Sequence, residues 1–215
     1  MAKSNYNSLN LWRGRIAGQV YKSVRGKQVI ATFVEARNPK TAAQRLVRAK
    51  MALLGQLASK FRYAIRVGFR PEASKHRSTP VACFVNRNYD FVQGTSHENV
   101  VIAPEQILVS IGSRTGVEFS DTIDASSEPQ QVTLTIIDGT GTYDDEATDK
   151  VYGILYCEEL QQVVMSEPVS RTDSRIDIRI PKRWLGMEIY AYGFVTSKDG
   201  TDASKSSYIG HATVS

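Results

Sequence analysis

The residues able to do chemistry are few, and their spacing argues against most of what they could do. His76, His97 and His211 stand singly and far apart, with no HExxH pair to share a metal from one helix face, so each reads as a surface or loop histidine. Cys83 and Cys157 lie in different halves and make no CxxC pair, which supports neither a disulfide framework nor a zinc site; both read as plain buried thiols. No GxSxG, Walker or GxGxxG pattern occurs. The run Asp144-Asp145-Glu146 with Asp149 offers oxygen ligands but lacks the calcium-loop spacing and its terminal glutamate, so it reads as a solvated acidic loop. The expectation is a non-enzyme with no catalytic residue, no metal and no cofactor.

The chemistry that remains is cationic. Arg13, Arg15, Lys22, Arg25, Lys27, Arg45, Arg48, Lys50, Arg62 and Arg66 are the candidates for contact with phosphate or with a partner's carboxylates. A net charge of +5 conceals a split: residues 1–90 hold 18 Lys/Arg against three acids (+15), and residues 91–215 hold nine against 19 (−10). Such asymmetry marks either nucleic-acid contact by the basic half or head-to-tail contact between unlike halves. Trp12, Tyr21, Tyr63 and Tyr89 do not form the stacking platform that single-strand binders use.

Those cations must be positioned by two kinds of element. Asn38 to Gly68 is the longest periodic stretch and predicts one helix about 40 Å long. Asn38-Pro39 marks its entry, Thr41 with Gln44 forms a capping box, and Gly68 is its stop. Ala43, Leu46, Val47, Leu53, Leu54, Leu57, Phe61, Ala64 and Ile65 share an arc of roughly 120°, with Arg45, Arg48, Arg62 and Arg66 opposite. Lys50 falls inside the apolar arc, where a bare ammonium is costly, and so should snorkel outward or meet a carboxylate. Before the helix, Arg13 to Lys22 and Lys27 to Val34 predict a basic hairpin turning at Ser23-Val24-Arg25-Gly26, with Gly14 and Gly18 as sites of close approach or a bulge. After it, Arg70 to Ser78 reads as a polar connection. Thr79-Pro80 then caps a second helix from Val81 to about Tyr89, with Val81, Phe84, Val85 and Phe91 available to cover the first.

From Asn99 the period becomes 2. Strands are predicted at Val100–Ala103, Ile107–Ile111, Gln131–Ile137, Lys150–Cys157, Gln162–Met165, Arg175–Ile180, Met187–Thr196 and Tyr208–Val214. Turn clusters such as Asp138-Gly139-Thr140-Gly141 and Ser197-Lys198-Asp199-Gly200 separate them, and the pattern describes an antiparallel immunoglobulin-like sandwich. Trp184, Tyr152, Tyr156, Tyr190, Tyr192 and Phe194 would help fill it. The fold class expected is thus α+β: residues 1–95 a basic β-arm with a long and a short helix, residues 96–215 an acidic sandwich, with the boundary near Gly94 to Asn99. A chain that is 41% hydrophobic and 23% charged has an ordinary globular composition. It has no 18-residue apolar run, and its N-terminal residues lack the apolar stretch of a secretion signal, so a product made in the cytoplasm and without membrane contact is expected.

Residues 13–92 resemble a known family. Gly14, Gly18, Val20, Gly26, Lys27, Gln28, Val29 and Ile30, followed by Asn38-Pro39-Lys40-Thr41-Ala42-Ala43-Gln44 and Arg48, look like a family of unknown function widespread in gut Bacteroidales and their phages. Its members are similar in carrying a GK-x-V segment and then NP-[KR]-T-x-x-Q-x-x-x-R before a β-rich half. Val67-Gly68-Phe69 and the SSYIG segment from Ser206 to Gly210 fit that pattern too. The resemblance implies no enzymatic activity. Similar NP-[KR]-T-x-x-Q segments occur in phage structural proteins, which implies a virion component of a crAss-like or related tailed phage: a ring-forming neck or portal–tail connector subunit that assembles with itself and with other virion proteins. Two alternatives stay open, a DNA-associated protein using the basic half and a carbohydrate-binding or adhesive β-sandwich module.

Overall fold

The computed structural model describes residues 3–5, 11–24, 27–35, 38, 40–126, 130–139 and 147–214. The chain divides into two compact units, Met1–Lys40 and Thr41–Ser215. The expected boundary near residue 95 does not coincide with this division, because helix and sheet residues on its two sides share one apolar cluster, from Leu54 and Phe61 to Ile154, Tyr192 and Phe194.

The first unit is a four-stranded antiparallel meander, β1 (Lys3–Asn5), β2 (Leu11–Ile16), β3 (Gln19–Val24) and β4 (Lys27–Thr32), in that spatial order. Arg13 to Lys22 is not one strand but a hairpin of its own. Ala17 and Gly18 take φ of 47° and 77°, the two left-handed residues of a tight hairpin turn, so Ile16 pairs with Gln19. Gly18 therefore makes a turn where close approach or a bulge was expected. Of the second turn, predicted over Ser23 to Gly26, Ser23 and Val24 belong to the ladder, with Val24 opposite Lys27, and Arg25 and Gly26 lie outside the described residues.

In the second unit the long helix is a bent rod. It runs through α1 (Ala42–Lys60), α2 (Arg62–Gly68) and α3 (Arg70–Lys75), and i→i−4 hydrogen bonds continue across the bends at Phe61 and Phe69. Thr41 caps it, its side chain accepting from the Gln44 amide at 3.3 Å. Gly68 is not the stop. It is a close approach, since a Cβ there would lie 2.6 Å from both the Ser110 Cβ and the Val109 carbonyl oxygen. The connection expected from Arg70 onward is accordingly helical as far as Lys75. Helix α4 (Pro80–Asn88) starts as predicted, with Thr79 accepting from the Ala82 amide at 3.1 Å, and its Phe84 meets Phe69 edge to face at 5.9 Å.

Two antiparallel sheets follow. One has the order β10 (Arg175–Arg179), β6 (Gln131–Asp138), β5 (Glu118–Asp124). The other runs β12 (Ser207–Thr213), β11 (Glu188–Thr196), β7 (Lys150–Cys157), β8 (Gln162–Met165), with β9 (Val169–Ser170) also paired to β7. Six predicted strands are present, and β5 and β9 were not predicted. Val100–Ala103 and Ile107–Ile111 are extended but form no named strand, because side chains take up the backbone groups of the latter: Asn88 bridges Leu108 through both its amide atoms, and the Ser206 hydroxyl accepts from the Val109 amide. The fold is mixed α+β with antiparallel sheets.

Alternation along β7 and β11 splits the core in two. Val151, Leu155, Ile189, Ala191 and Val195 meet Val132, Leu134, Ile176, Ile178 and the fully buried Trp184 between the sheets. Ile154, Tyr156, Tyr192 and Phe194 point the other way, onto Leu57, Phe61, Ile65 and Phe69. Of the aromatics expected to fill the sandwich, only Trp184 does so; the tyrosine row with Phe194 packs on the helices instead, Phe61 lying 5.1 Å from Tyr156 and 6.0 Å from Tyr192. Gly153 and Gly193 pair across β7 and β11 and leave room on the inner face for Leu134, Ile178 and the Phe119 ring.

Two glycines of the rod separate packing from propensity. Adding a methyl at Gly68 forces a rigid carbonyl aside, and overpacking of this kind costs about 1–3 kcal/mol. Exposed Gly55 has open space around it, so Gly55→Ala gains up to about 1 kcal/mol of helix propensity. Thermal unfolding should place Gly68→Ala below wild type and Gly55→Ala above it. Equal midpoints for the two would remove the close approach as a constraint.

Candidate functional site

The described residues bring one thiol, one histidine and one carboxylate to the same place. Glu72, His76, Cys83 and Arg87 line a cavity of about 290 Å³ beside α3 and α4. A thiol nucleophile needs its pKa lowered, and here burial pushes the Cys83 thiol up, with a weaker opposing effect from the Ser78 hydroxyl. Glu72 is spoken for: its Oε1 accepts from the Arg87 guanidinium and lies 3.4 Å from His76 Nε2. The arrangement is an ion pair tying α3 to α4. His97 and His211 lie at the surface, each 3.8 Å from a glutamate, Glu98 and Glu188. Among the described residues no three His, Cys, Asp or Glu side chains cluster as metal ligands do.

The predicted acidic loop divides. Asp144, Asp145 and Glu146 lie outside the described residues, while Asp149 is buried and engaged. Arg114 grips Asp149 with two bonds of 2.7 and 2.8 Å, and the equally buried Arg171 adds a third at 3.1 Å. Arg171 also donates to the carbonyls of Gly139 at 2.8 Å and Thr115 at 2.7 Å. Asp149 is thus the anchor of three loops. Its partners lie 35 and 22 residues away, a separation that no local pattern reveals.

The cationic candidates fall into two groups. In the first unit the register sorts side chains by face. Arg15 pairs with Val20, Lys22 with Val29 and Val24 with Lys27, so Arg13, Arg15, Lys22 and Lys27 share one face with those valines. Arg15 stacks 3.5 Å above the Phe33 ring on that face. The opposite face carries Ile16, Gln19, Tyr21, Gln28, Ile30 and Thr32, without a charge. Ile16 and Ile30 are 41% and 56% exposed there, and no described residue of Arg13 to Lys40 is buried within the chain. Arg25 lies outside the described residues.

In the second group Arg45, Arg48, Arg62 and Arg66 are all exposed, on the side of the rod away from the core. Half-buried Lys50 meets no carboxylate among the described residues: its ammonium donates to the Val92 carbonyl at 2.7 Å and sits 5.5 Å from the Tyr89 ring. A cation inside the apolar arc thus finds an acceptor within the chain, and Lys50 ceases to argue for a partner. Ala43, Val47 and Met51 are nevertheless exposed along the first three turns, where the predicted stripe is not covered.

A family model described as a family of unknown function (DUF6266) matches residues 11–210. No curated protein and no solved structure matches the chain.

Bonding to Arg87, opposed by a smaller effect of burial, holds the Glu72 carboxyl below its ordinary value of 4.5. A depressed carboxylate stabilises the fold above its unfolded pKa, and that contribution is lost as pH falls through the lower folded value. Glu72→Gln should therefore cost on the order of 1 kcal/mol near pH 7, and the gap to wild type should close as pH drops below about 4.5. Denaturant unfolding across that range checks it; a gap that stays constant with pH would mean the bond to Arg87 carries no charge-dependent stability.

Proposed function

The chain belongs to the DUF6266 family of unknown function, and we propose that it is a non-enzymatic structural subunit of a tailed-phage virion, a ring-forming component of the neck or portal–tail connector. The observation that carries this reading is the first unit. Its four-stranded sheet buries none of its described residues from Arg13 onward, yet its two faces are chemically sorted, one cationic and one uncharged with Ile16, Tyr21 and Ile30. A small sheet without a core is marginal in water and needs cover. Neighbouring chains supply it here, and a head-to-tail contact repeated with a rotation that closes builds a ring. The exposed Val47 and Met51 of α1 give a second surface of the same kind. The virion assignment is supported by the likeness of Asn38 to Gln44 to segments of phage structural proteins, including those of phages of gut Bacteroidales.

The second unit is read as immunoglobulin-like. Lettering β5, β6 and β10 as A, B and E, and β7, β8, β11 and β12 as C, C′, F and G, gives the sheet orders A-B-E and G-F-C-C′ of that architecture. The aromatic row that a carbohydrate-binding sandwich would present lies against the helices, which favours an assembly role over an adhesive one.

The four cations gathered on one sheet face also support the DNA-associated reading, and one experiment separates the two. Arg15→Glu/Lys22→Glu/Lys27→Glu reverses the cationic face, and Ile30→Asp charges the other. The assembly reading expects a multimer for wild type by light scattering, a fall towards the mass of one chain in both variants, and unaltered retention on DNA. Loss of DNA retention by the charge-reversed variant at unchanged mass supports the nucleic-acid reading instead, and a wild type that stays a single chain at micromolar concentration overturns assembly.

A further inference from the structure

We infer that the cleft formed by α2, α3, the start of β7 and the turn between β11 and β12 is a binding site for a phosphate group. Arg66 and Arg70 from the rod, Lys150 from β7 and Lys198 from the turn converge on a cavity of about 190 Å³. None of the four pairs with a carboxylate among the described residues. The one acid in the lining, Asp199, is tied into its own turn: its Oδ1 accepts from the Ser197 and Thr201 hydroxyls at 2.8 Å each and from the Thr201 amide at 3.1 Å. Asp199 keeps its charge there, but four cationic groups outnumber it, so the cleft lining carries an excess of positive charge.

That excess is unfavourable without an anion. Arg66 and Arg70 are four residues apart on one hydrogen-bonded rod, so their like charges repel and oppose the helix that holds them. The sheet brings up Lys150 directly opposite Thr196, two residues before Lys198. One side of the cleft is held in place by packing: Tyr152 stacks on Phe194 with ring centres 5.2 Å apart.

Two guanidinium forks and two ammonium groups suit a compact oxyanion with several acceptors, a phosphate better than a lone carboxylate. The cavity is small beside the roughly 300–1,000 Å³ of drug-sized sites, so it takes the phosphate group while the rest of any ligand stays outside. The group has two sources, free phosphate or the phosphodiester backbone of DNA. The inference is independent of the assembly reading, since it uses no residue of the first unit.

The test is calorimetric titration of the full chain with inorganic phosphate, and separately with a short DNA duplex, at low salt. Wild type should bind phosphate saturably. Arg70→Gln/Lys150→Gln should weaken it at least tenfold, whereas Arg45→Gln, away from the cleft, should leave it unchanged; both lie at exposed positions, and circular dichroism checks that each folds. Should the double variant lose its fold, Lys198→Gln in the exposed turn takes its place with the same expectation. Competition by the duplex, lost in the same variant, assigns the group to nucleic acid, and phosphate binding without such competition assigns it to a free anion. No saturable binding of either probe, or equal binding by wild type and the cleft variant, overturns the site.

Discussion

A sheet that must be buried on both faces organises the second unit. In β7 and β11 the odd-numbered residues Val151, Leu155, Ile189, Ala191 and Val195 are as dry as the even-numbered Ile154, Tyr156, Tyr192 and Phe194. Burying both sides requires one layer on each, and the chain supplies chemically different ones. Aliphatic residues of β6 and β10 cover the odd face, where paired glycines let them approach, and the rod with α4 covers the even face with rings. Apolar burial stabilises by about 25 cal/mol per Å², and aromatic side chains bury large areas each, so the tyrosine row with Phe194 contributes strongly to holding the helices on the sheet. Burial pushes the Tyr156 hydroxyl up to about 12, and the Tyr192 hydroxyl, donating to the Pro104 carbonyl at 2.7 Å, is raised further still.

Polar chemistry fixes what packing leaves free. Asn88 and Ser206 stand in for strand partners at Leu108 and Val109, and the Ser110 hydroxyl donates to the Gly68 and Ser204 carbonyls, so a segment without a ladder is still tied to both the helices and the sheet. The Arg114–Asp149–Arg171 group does the same for the loops it joins. Removing one partner from a buried group of this kind typically costs about 3–5 kcal/mol, because the charge left behind has no water. Among the described residues, exposed cationic groups lie on the β-arm, on the outer face of the rod and in the cationic cleft.

Sequence periodicity made the rod legible, because Leu54 to Ile65 bury the predicted face and Thr41 and Thr79 cap as their side chains suggest. It could not show that the same rod continues past Gly68, since a glycine that permits close approach looks like one that ends a helix. Strand β5 was missed because EFSDTID alternates weakly and stays partly exposed. The Ala17–Gly18 turn was missed because alanine rarely accepts a positive φ. The tyrosines of β7 and β11 were assigned to the wrong layer: alternation reveals that a strand has two faces, and not which of two apolar faces meets which neighbour. The cationic candidates were chosen by charge alone. Register then united Arg13, Arg15, Lys22 and Lys27 on one face and left Lys50 satisfied on its own, and only tertiary contact brings Lys150 and Lys198 to Arg66 and Arg70.

If the sheet is held by both layers, helices and sheets of the second unit unfold as one cooperative body. Native-state hydrogen exchange of the full chain measures this directly. Amides of α1 from Leu54 onward, of α2, of β6 and of β7 should exchange through a single global opening, with free energies that fall together in denaturant. Exchange from the helices at a clearly lower free energy than from β6 and β7 would contradict the account and divide the chain near residue 95 after all.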